Sequence, residues 1–305
     1  MVPKIVVVGS ANTDFIVQVS QLPSPGETVL GGVFSMAKGG KGANQAVAAA
    51  RLGGDVTLIA RLGSDSLGVE ALQAYCQEGI STQHIVVDSD QPSGAALILV
   101  GSSGENMIAV APGANTRLIP DDVVSAEETI RQADCLLVQL EIPIETVQTA
   151  LEIAHQHGVL TILNPAPVRS IPNGLFKSID VLTPNEKELA ALLGEGEIPI
   201  NGMQISLLAE KTGVPSIVAT LGERGAQVYS EGQETLIPAF SVTPVDTTAC
   251  GDAFNGALAV ALSCGKDIYT ATRYANAAGA LAATRLGAQP SLPTAKEVDK
   301  FIFSH

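Results

Sequence analysis

Short apolar segments alternate with amphipathic segments along most of the chain. The apolar segments are rich in β-branched residues, which predicts strands at 5–8, 56–60, 135–140, 160–163, 181–183 and 216–220. The amphipathic segments predict helices at 44–52, 67–78, 144–157 and 203–212. Because strands and helices alternate, we expect an α/β fold with a mostly parallel central sheet that helices cover on both faces.

Three further regions depart from this alternation. Residues 14–34 alternate between apolar and polar types with Pro-Gly punctuation, and residues 94–110 predict two antiparallel strands around Gly101-Ser102-Ser103-Gly104. We interpret both as a small inserted β-sheet, a lid formed by about 12–38 and 92–111. After Gly251 the pattern becomes helix upon helix, at 253–263, 268–285 and 295–303. With no repeat or low-complexity linker, residues 1–305 are predicted to form a single domain.

Composition excludes several classes of protein. Of 305 residues, 46% are hydrophobic and 16% charged, which favours a globular chain over a disordered one. The net charge of −14 repels a phosphate backbone, and the 4% of aromatic residues offers little surface for stacking bases. Nucleic-acid binding is therefore not expected. A site for a smaller phosphate ligand must be formed locally, by backbone N–H groups at a helix start.

The cysteines and the apolar runs bear on the cellular setting. Cys76, Cys135, Cys250 and Cys264 have no C-x-x-C spacing, which predicts reduced core thiols and no disulfide framework or zinc site. The chain opens directly on a strand, and no window of about 18 uninterrupted apolar residues occurs. We therefore expect a cytoplasmic protein that does not associate with a membrane.

Two common nucleotide motifs are absent. Lys41 is followed by Gly42 where a Walker loop needs a hydroxyl residue, and no G-x-G-x-x-G follows the first strand.

The strongest chemical signal is the run from Asp246 to Asp252, which leads into a helix. The N–H groups of Ala249, Cys250 and Gly251 are expected to converge at the positive helix end and bind an anion. Asp252, in the first turn, either caps its helix or takes a proton from a hydroxyl group that attacks a bound phosphoryl group.

Three weaker motifs carry polar groups in glycine-rich or turn-like settings. Gly39-Gly40-Lys41-Gly42-Ala43-Asn44 allows close approach to the backbone and offers an amide, or it is a tight turn with Asn44 as helix cap. Asn12-Thr13-Asp14 follows the first strand and either grips vicinal hydroxyls or forms an Asx-turn. Asn185 to Glu188 has the pattern of a capping box.

Taken together, these motifs resemble those of the ribokinase-type (phosphofructokinase-B) carbohydrate kinases, and the resemblance covers essentially the whole chain. Further matching positions are Pro25 to Thr28, Gln139 to Glu141, Asn164 to Pro167, Thr183 to Glu186, Thr220 to Gly225 and Gly287 to Ser291.

The resemblance implies a role for each motif. Asp252 would be the general base, and Ala249, Cys250 and Gly251 would form an anion hole. The sugar would be held, together with Asp252, by Asn12, Thr13, Asp14, Gly40, Lys41, Gly42, Ala43, Asn44 and Glu141. ATP would be bound, together with Gly251 and Asp252, by Asn185, Thr220, Leu221, Gly222, Glu223, Arg224, Gly225 and Asn276.

Two cations follow from the same resemblance. Mg²⁺ would be linked through water to Asn185 and Glu188. K⁺, as an activating monovalent cation, would be held mostly by backbone oxygens of Asp246, Thr248, Ala282, Arg285, Gly287 and Ser291.

The implied function is ATP-dependent phosphorylation of D-ribose at its 5-hydroxyl, by a homodimer that pairs through the lid. Two alternatives stay open. One is a sibling kinase for deoxyribose, another sugar or a nucleoside. The other is a sugar sensor without catalysis. The intact Asp252 and the pair Asn185 and Glu188 disfavour this alternative.

One position departs from the family pattern. The residue before the Gly251-Asp252 pair is usually Ala or Gly, and here it is Cys250. Its place at a helix start favours the thiolate, whereas Asp246 and Asp252 oppose it. The sequence leaves open whether this thiol is reactive or an inert packed side chain.

Overall fold

Thirteen strands and ten α-helices are present in the computed structural model, which describes residues 2–102, 105–194 and 202–305. In chain order the strands are β1 (Lys4–Val8), β2 (Asn12–Gln18), β3 (Val33–Gly39), β4 (Asp55–Gly63), β5 (Ile85–Asp88), β6 (Gly94–Val100), β7 (Asn106–Ala111), β8 (Cys135–Gln139), β9 (Leu160–Asn164), β10 (Val181–Leu182), β11 (Ser216–Thr220), β12 (Ala226–Ser230) and β13 (Gln233–Ile237). The helices are α1 (Lys41–Arg51), α2 (Ser66–Gln77), α3 (Pro120–Val124), α4 (Glu127–Arg131), α5 (Ile144–Gln156), α6 (Glu186–Leu193), α7 (Gly202–Thr212), α8 (Cys250–Ser263), α9 (Ile268–Ala283) and α10 (Ala295–Ser304).

Nine of these strands form the main sheet, in the order β13-β12-β11-β10-β9-β8-β1-β4-β5. The strands from β11 to β5 are parallel, and β12 and β13 continue the sheet antiparallel at one edge. The expected mostly parallel α/β sheet is confirmed.

Side chains of the parallel strands point alternately to two apolar layers. Ile5 and Val7 of β1 pack with α1, α2, α8, α9 and α10, whereas Val6 and Val8 pack with α3 to α7 on the opposite face. Both faces of β1 are thus buried, which is why its sequence is a continuous apolar run. The expected helices on both faces are confirmed.

Four strands form a separate small sheet, in the order β3-β2-β6-β7. The outer pairs are antiparallel and the central pair, β2 with β6, is parallel. The inserted sheet and its antiparallel pair at 94–110 are confirmed, while Ser103 and Gly104 of the expected turn lie outside the described residues.

The structure adds one element that the sequence did not predict and corrects one prediction about the cysteines. The hairpin of β12 and β13 was not predicted, although its two-residue turn, Glu231 and Gly232, has positive φ at both positions and so belongs to a favoured hairpin type. All four cysteines are free, but Cys76 and Cys264 are exposed and are not core thiols, because they lie toward the outer ends of α2 and α8. In the described ranges, no helix combines the length and apolarity that crossing a membrane requires.

Candidate active site

The polar residues singled out above gather at the carboxyl edge of the main sheet. β1 lies between β4 and β8, so the chain leaves β1 toward one side of the sheet and later extends the other side. Parallel α/β sheets bind ligands at such a switch point. Here Ser10, which follows β1, donates from Oγ to Oε2 of Glu141, which follows β8, at 2.5 Å. The same oxygen accepts from the backbone N–H of Lys41 at 3.0 Å.

Asp252 lies at the centre of this edge, in the first turn of α8, and is buried. Its Oδ2 accepts from Nδ2 of Asn44 and its Oδ1 from Nε2 of Gln45, each at 2.9 Å. Both carboxylate oxygens are thus occupied by α1, and the helix cap is instead Ala249, without a side-chain bond. The capping alternative for Asp252 is therefore wrong.

The start of α8 presents free backbone donors beside this carboxylate. Within the described residues, the N–H groups of Ala249, Gly251 and Asp252 have no protein acceptor, whereas the N–H of Cys250 donates to the carbonyl of Thr247 at 3.3 Å. Ala249 adopts the left-handed conformation, with φ of 58°, which L-residues other than Asn and Asp rarely take. Such a turn into a helix start directs N–H groups to one point, where an anion is favoured.

Lys41 is the cation amid four carboxylates of the site. Burial lowers the pKa of Lys41, but Asp252, Glu141, Glu188 and Asp14 together raise it above its ordinary value. Lys41 therefore carries its charge at any physiological pH.

Asp252 and Asp14 of this group have raised pKa values. Burial raises the pKa of Asp252, against the opposing effects of Lys41 and the two amides that it binds. The pKa of Asp14 is raised to about 6 by burial and by the negative charges of Glu141 and Asp252. Perturbed carboxyl groups that share one concave edge are typical of catalytic or binding sites.

Asn12, Thr13 and Asp14 are buried in β2, at the base of the small sheet. Oδ1 of Asn12 accepts from Nδ2 of Asn115 at 2.8 Å, and among the described residues no acceptor is found for the NH₂ group of Asn12. The motif is a strand segment, and the Asx-turn alternative is wrong.

The glycine-rich motif closes against Asn12. Gly40 has a φ of 86°, and a Cβ at this position would lie 2.7 Å from the backbone N of Asn12, so the backbone requires glycine here. α1 begins at Lys41, which places Gly42, Ala43 and Asn44 inside the helix; Asn44 is not its cap. The NH₂ group of Asn44 is spent on Asp252, and its Oδ1 is buried with no partner in the described part of the chain.

A second group of residues follows β10 and β11. The expected capping box is confirmed at α6, where the side chains of Asn185 and Glu188 bond reciprocally to each other's backbone N–H groups. Asn185 also bridges to Thr220 in the parallel sense. A 3₁₀ turn follows Thr220 and Leu221 and covers Gly222–Arg224, closed by a bond from the N–H of Gly225 to the carbonyl of Gly222.

Four more predicted residues lie in or beside this group. Leu221 is buried, Glu223 is exposed, and Arg224 pairs with Glu186 at 2.5 Å. Asn276 of α9 donates from Nδ2 to the carbonyls of Ile237 and Pro238, at 3.0 and 3.2 Å, next to the end of β13.

The remaining predicted residues meet in the loops before α8 and after α9. Asp246 accepts from the backbone N–H groups of Thr248 and Gly287, at 2.8 and 2.9 Å. Burial raises the pKa of Asp246, but these hydrogen bonds outweigh it and the pKa lies below its ordinary value. Ser291 donates to the carbonyl of Ala288, and Arg285 donates from its N–H to the carbonyl of Ala282. These two segments, residues 246–248 and 282–291, are here called the 246–291 loops.

Comparison with known proteins agrees with this geometry. Residues 2–295 match the family described as "pfkB family carbohydrate kinase". The chain belongs to the pfkB family of carbohydrate kinases. It is 42% identical to the ribokinase of Haemophilus influenzae, over 97% of both chains. Among solved structures it is similar to a ribokinase from Thermotoga maritima, with a TM-score of 0.90, 37% identity and 99% of both chains covered. An Arabidopsis thaliana ribokinase complexed with ribose and ATP gives a TM-score of 0.89 at 34% identity, again over 99% of both chains.

Residue-by-residue reading of this pfkB kinase missed two contributors to the site. Gln45 binds Asp252 directly, and Asn115 fixes Asn12 although it lies about a hundred positions away in the sequence. Gln45 stands in the glycine-rich motif and could have been found there as a polar residue facing a buried helix surface. Asn115 follows the small sheet with no chemical pattern around it, so only the fold reveals its contact.

Of the two alternatives left open for Cys250 of this pfkB kinase, its surroundings favour the inert packed thiol. Burial, assisted by the charges of Asp246 and Asp252, raises the pKa of Cys250 to about 12. The helix start does not compensate for this environment. The thiol stays protonated at neutral pH, which is the state of an inert packed side chain.

Proposed function

We propose that the chain phosphorylates D-ribose at its 5-hydroxyl with ATP, giving D-ribose 5-phosphate and ADP. The observation that carries this proposal is the buried carboxylate of Asp252, oriented by two amides and adjacent to the free N–H groups of a helix start. A base and an anion site side by side are what transfer of a phosphoryl group to an alcohol requires. A protein that only senses sugar needs neither.

In the proposed reaction, Asp252 is the general base. The 5-hydroxyl oxygen attacks the γ-phosphorus of ATP while its proton moves to the carboxylate, and the bond from the γ-phosphorus to its bridging oxygen breaks to release ADP. The raised pKa of Asp252 suits this task, since a base whose pKa lies nearer neutrality accepts a proton more readily.

The start of α8 supports the transferring group. The N–H groups of Ala249 and Gly251, together with the helix dipole, stabilise the negative charge on the phosphoryl oxygens. We place Cys250 in the same turn as a spacer, because its N–H is already bonded within the chain.

The sugar lies between the small sheet and α1. Asp14 and Glu141 accept hydrogen bonds from sugar hydroxyls, Asn12 donates through its free NH₂ group, and Asn44 accepts through Oδ1. Thr13, Gly40, Lys41, Gly42 and Ala43 complete the wall of this sugar site. Lys41 offsets the negative charge of the carboxylates.

The nucleotide lies over the ends of β10 and β11. We propose that Asn185 and Asn276 flank it and that the backbone of the 220–225 segment, which contains Thr220, Leu221, Gly222, Glu223, Arg224 and Gly225, contacts it.

Mg²⁺ fits the pair Asn185 and Glu188. Carboxylate and amide oxygens are the ligands that this ion prefers, and Glu188 is a buried carboxylate near Lys41 and Asp252. When bound with ATP, the ion neutralises charge on the phosphates. Asn185 and Glu188 would hold it through water.

K⁺ fits the 246–291 loops. The carboxylate of Asp246 and backbone oxygens of Thr248, Ala282, Arg285, Gly287 and Ser291 offer the oxygen-rich surroundings that such an ion requires. Asp246 lies six residues before Asp252, so order in these loops supports the start of α8. Replacing Na⁺ in the assay buffer with K⁺ should raise turnover. Equal turnover in the two buffers would remove K⁺ from the proposal.

The small sheet is proposed to act as a lid and as the contact of a homodimer. Several large apolar side chains of its strands are more than 45% exposed: Val33, Phe34, Met36, Leu97, Met107, Ile108 and Val110. A second copy of the chain would cover them. We propose that the enzyme is cytoplasmic and that residues 1–305 form a single domain.

A coupled assay of ADP release tests the proposed function. Ribose, deoxyribose, other pentoses and nucleosides are each offered with ATP, and phosphorus NMR identifies the product. We expect ribose to give the highest kcat/KM and a 5-phosphate ester. A higher kcat/KM for another acceptor would replace ribose with that substrate, and no sugar-dependent ADP release would reject the kinase.

A further inference from the structure

A chain of buried amide groups lies beneath Asp252. Gln45, which is fully buried in α1, donates from Nε2 both to Oδ1 of Asp252 at 2.9 Å and to Oδ1 of Asn164 at 3.1 Å. Its Oε1 accepts from Nε2 of Gln139 at 2.6 Å. Every polar atom of the Gln45 side chain is therefore bonded.

This series of hydrogen bonds ends on the backbone next to Asp252. Asn164 donates from Nδ2 to the carbonyl of Thr183 at 3.0 Å, and the hydroxyl of Thr183 donates to Oδ1 of Asn255 at 2.6 Å. Asn255 then donates from Nδ2 to the carbonyl of Gly251 at 2.8 Å. The side chains of Gln45, Asn164, Thr183 and Asn255, together with Asp252, are here called the amide ring. They join α1, β9, the segment after β10, and α8.

The ring fixes which end of Gln45 faces the base. A reversed Gln45 amide would set its oxygen against two further oxygens, those of Asp252 and Asn164, and its NH₂ against that of Gln139. The carbonyl of Thr183 requires the NH₂ group of Asn164, so Oδ1 of Asn164 faces Gln45 and requires a donor there. At the other end, Oε1 of Gln139 is buried with no partner among the described residues. Buried polar groups carry a large cost when left unpaired. A donor is thus held permanently on one oxygen of Asp252.

We infer that Gln45 is a positioning residue for the general base: it holds Asp252 in the ionised, proton-accepting state and leaves the carboxylate orientation no freedom. This inference rests on the proposed function. The charge on Asp252 needs such support because burial acts against ionisation.

Other charged groups face Asp252 and set the background. Lys41 of α1 favours the ionised form, whereas Glu141 after β8, Asp14 of β2 and Glu188 of α6 are negative and oppose it. Gln45 is the neutral donor in this balance. Its removal leaves all four charges in place, so an effect on ionisation is assigned to the hydrogen bond itself.

The test compares Gln45→Met with the parent enzyme in the pH dependence of kcat at saturating ribose and ATP. Without the donor, Asp252 ionises only at a higher pH. The acidic limb of the plot of kcat against pH should therefore move to higher pH by about one unit. We expect kcat to fall by up to about tenfold on the acidic side, where pH lies below the limb of both enzymes, and to recover to within about threefold at the alkaline end, with KM values little changed. Gln148→Met, on the exposed face of α5, is the control and should leave the profile unchanged.

Two outcomes would overturn the inference. One is a Gln45→Met profile that superimposes on that of the parent. The other is an equal loss of kcat at every pH, which indicates a structural role only. If Gln45→Met does not fold, Gln45→Glu, of nearly the same shape, adds a second carboxyl group beside Asp252 and should move the limb further in the same direction.

A readout independent of activity separates this inference from the proposed function. Carbon-13 NMR of carboxyl-labelled aspartate, assigned with Asp252→Asn, follows the titration of Asp252 directly. An upward shift in Gln45→Met supports the ring even if no sugar is phosphorylated, and an unchanged titration contradicts it even in a fully active kinase.

Discussion

Single side chains of the site work against the stability of the folded chain. Three carboxyl groups, those of Asp14, Glu141 and Asp252, interact electrostatically with Lys41 at one edge of the sheet, and Asp14 and Asp252 are buried. Placing like charges in a region of low polarity costs free energy that surface residues do not incur. Such a cluster is retained where it serves binding or catalysis.

Asp14 makes this cost measurable. Its pKa is about 6 in the folded chain against an ordinary value of 3.8, so between pH 4 and 6 the folded state holds a proton that the unfolded state has lost, and stability falls as pH rises through this window. Asp14→Asn should therefore raise the free energy of unfolding at pH 7 by up to about 3 kcal/mol. The gain should vanish near pH 4, and ribose binding should weaken.

Urea denaturation at pH 4 and pH 7 checks this expectation, with calorimetry for ribose. Asp55→Asn, at an exposed position at the start of β4, serves as the control and should show no such pH-dependent difference. A gain of equal size at both pH values would assign the effect to packing and not to charge.

At the residue scale the sequence predicted the groups but not their contacts. Asp252 stood out because small residues precede it and a helix follows, a local pattern. The partners of Asp252 are more than 200 positions away in α1, and no local pattern encodes a contact at that separation. For the same reason the sequence could not decide between a reactive and a packed thiol at Cys250, since its burial depends on elements that pack around α8.

Among secondary-structure elements, the pair α1 and α8 determines the site. α1 carries Asn44 and Gln45, and α8 carries Asp252, so the distance between the two helices decides whether these side chains meet. Gly256 allows the close approach: a Cβ there would lie 2.6 Å from Cβ of Ala48 and 2.9 Å from the backbone N of Ala49.

Gly256→Ala should move the helices apart. Relief of the overlap shifts backbone atoms, which typically costs about 1–3 kcal/mol of unfolding free energy, and it should stretch the bonds from α1 to Asp252 and lower kcat. Thermal unfolding and steady-state kinetics measure both effects. Gly174→Ala, where no described atom lies within 4 Å of the added Cβ, is the control; an equally small effect at both sites would contradict the account.

Element prediction from sequence succeeded where a segment is buried on both faces and failed at the edges. β1 and β8 are continuous apolar runs and were located to within one residue. The hairpin of β12 and β13 was missed because buried and exposed positions do not alternate regularly along an edge strand. Gln233–Ile237 shows this irregular pattern.

For the whole molecule, a net charge of −14 and an anionic co-substrate stand in apparent conflict. In the proposed function the start of α8 resolves it locally, because oriented N–H groups favour a phosphate without any basic side chain. The long-range electrostatic field of the negatively charged chain still repels both ATP and nucleic acid. Affinity for the nucleotide should thus depend on the N–H groups near Asp252 and not on the lysines of the surface.

Assembly of two chains is the prediction at this scale. Leu97 of the small sheet is 62% exposed, and Leu97→Lys should place a charge in the proposed homodimer contact and halve the mass found by sedimentation equilibrium. Leu236→Lys, at a 51% exposed leucine of β13 in the main sheet, should leave the dimer intact. A parent enzyme of single-chain mass, or loss of the dimer in both variants, would contradict the contact through the small sheet.

The turnover of Asp252→Asn tests the central claim most directly. The amide keeps the shape of the side chain but cannot accept the proton of the 5-hydroxyl, so ribose-dependent ADP release should fall by about 10²–10⁴-fold. Ribose affinity, measured by calorimetry on the same variant, should change by no more than a few-fold, since Asp14, Asn44 and Glu141 remain. Turnover near that of the parent enzyme would contradict the assignment of Asp252 as the general base.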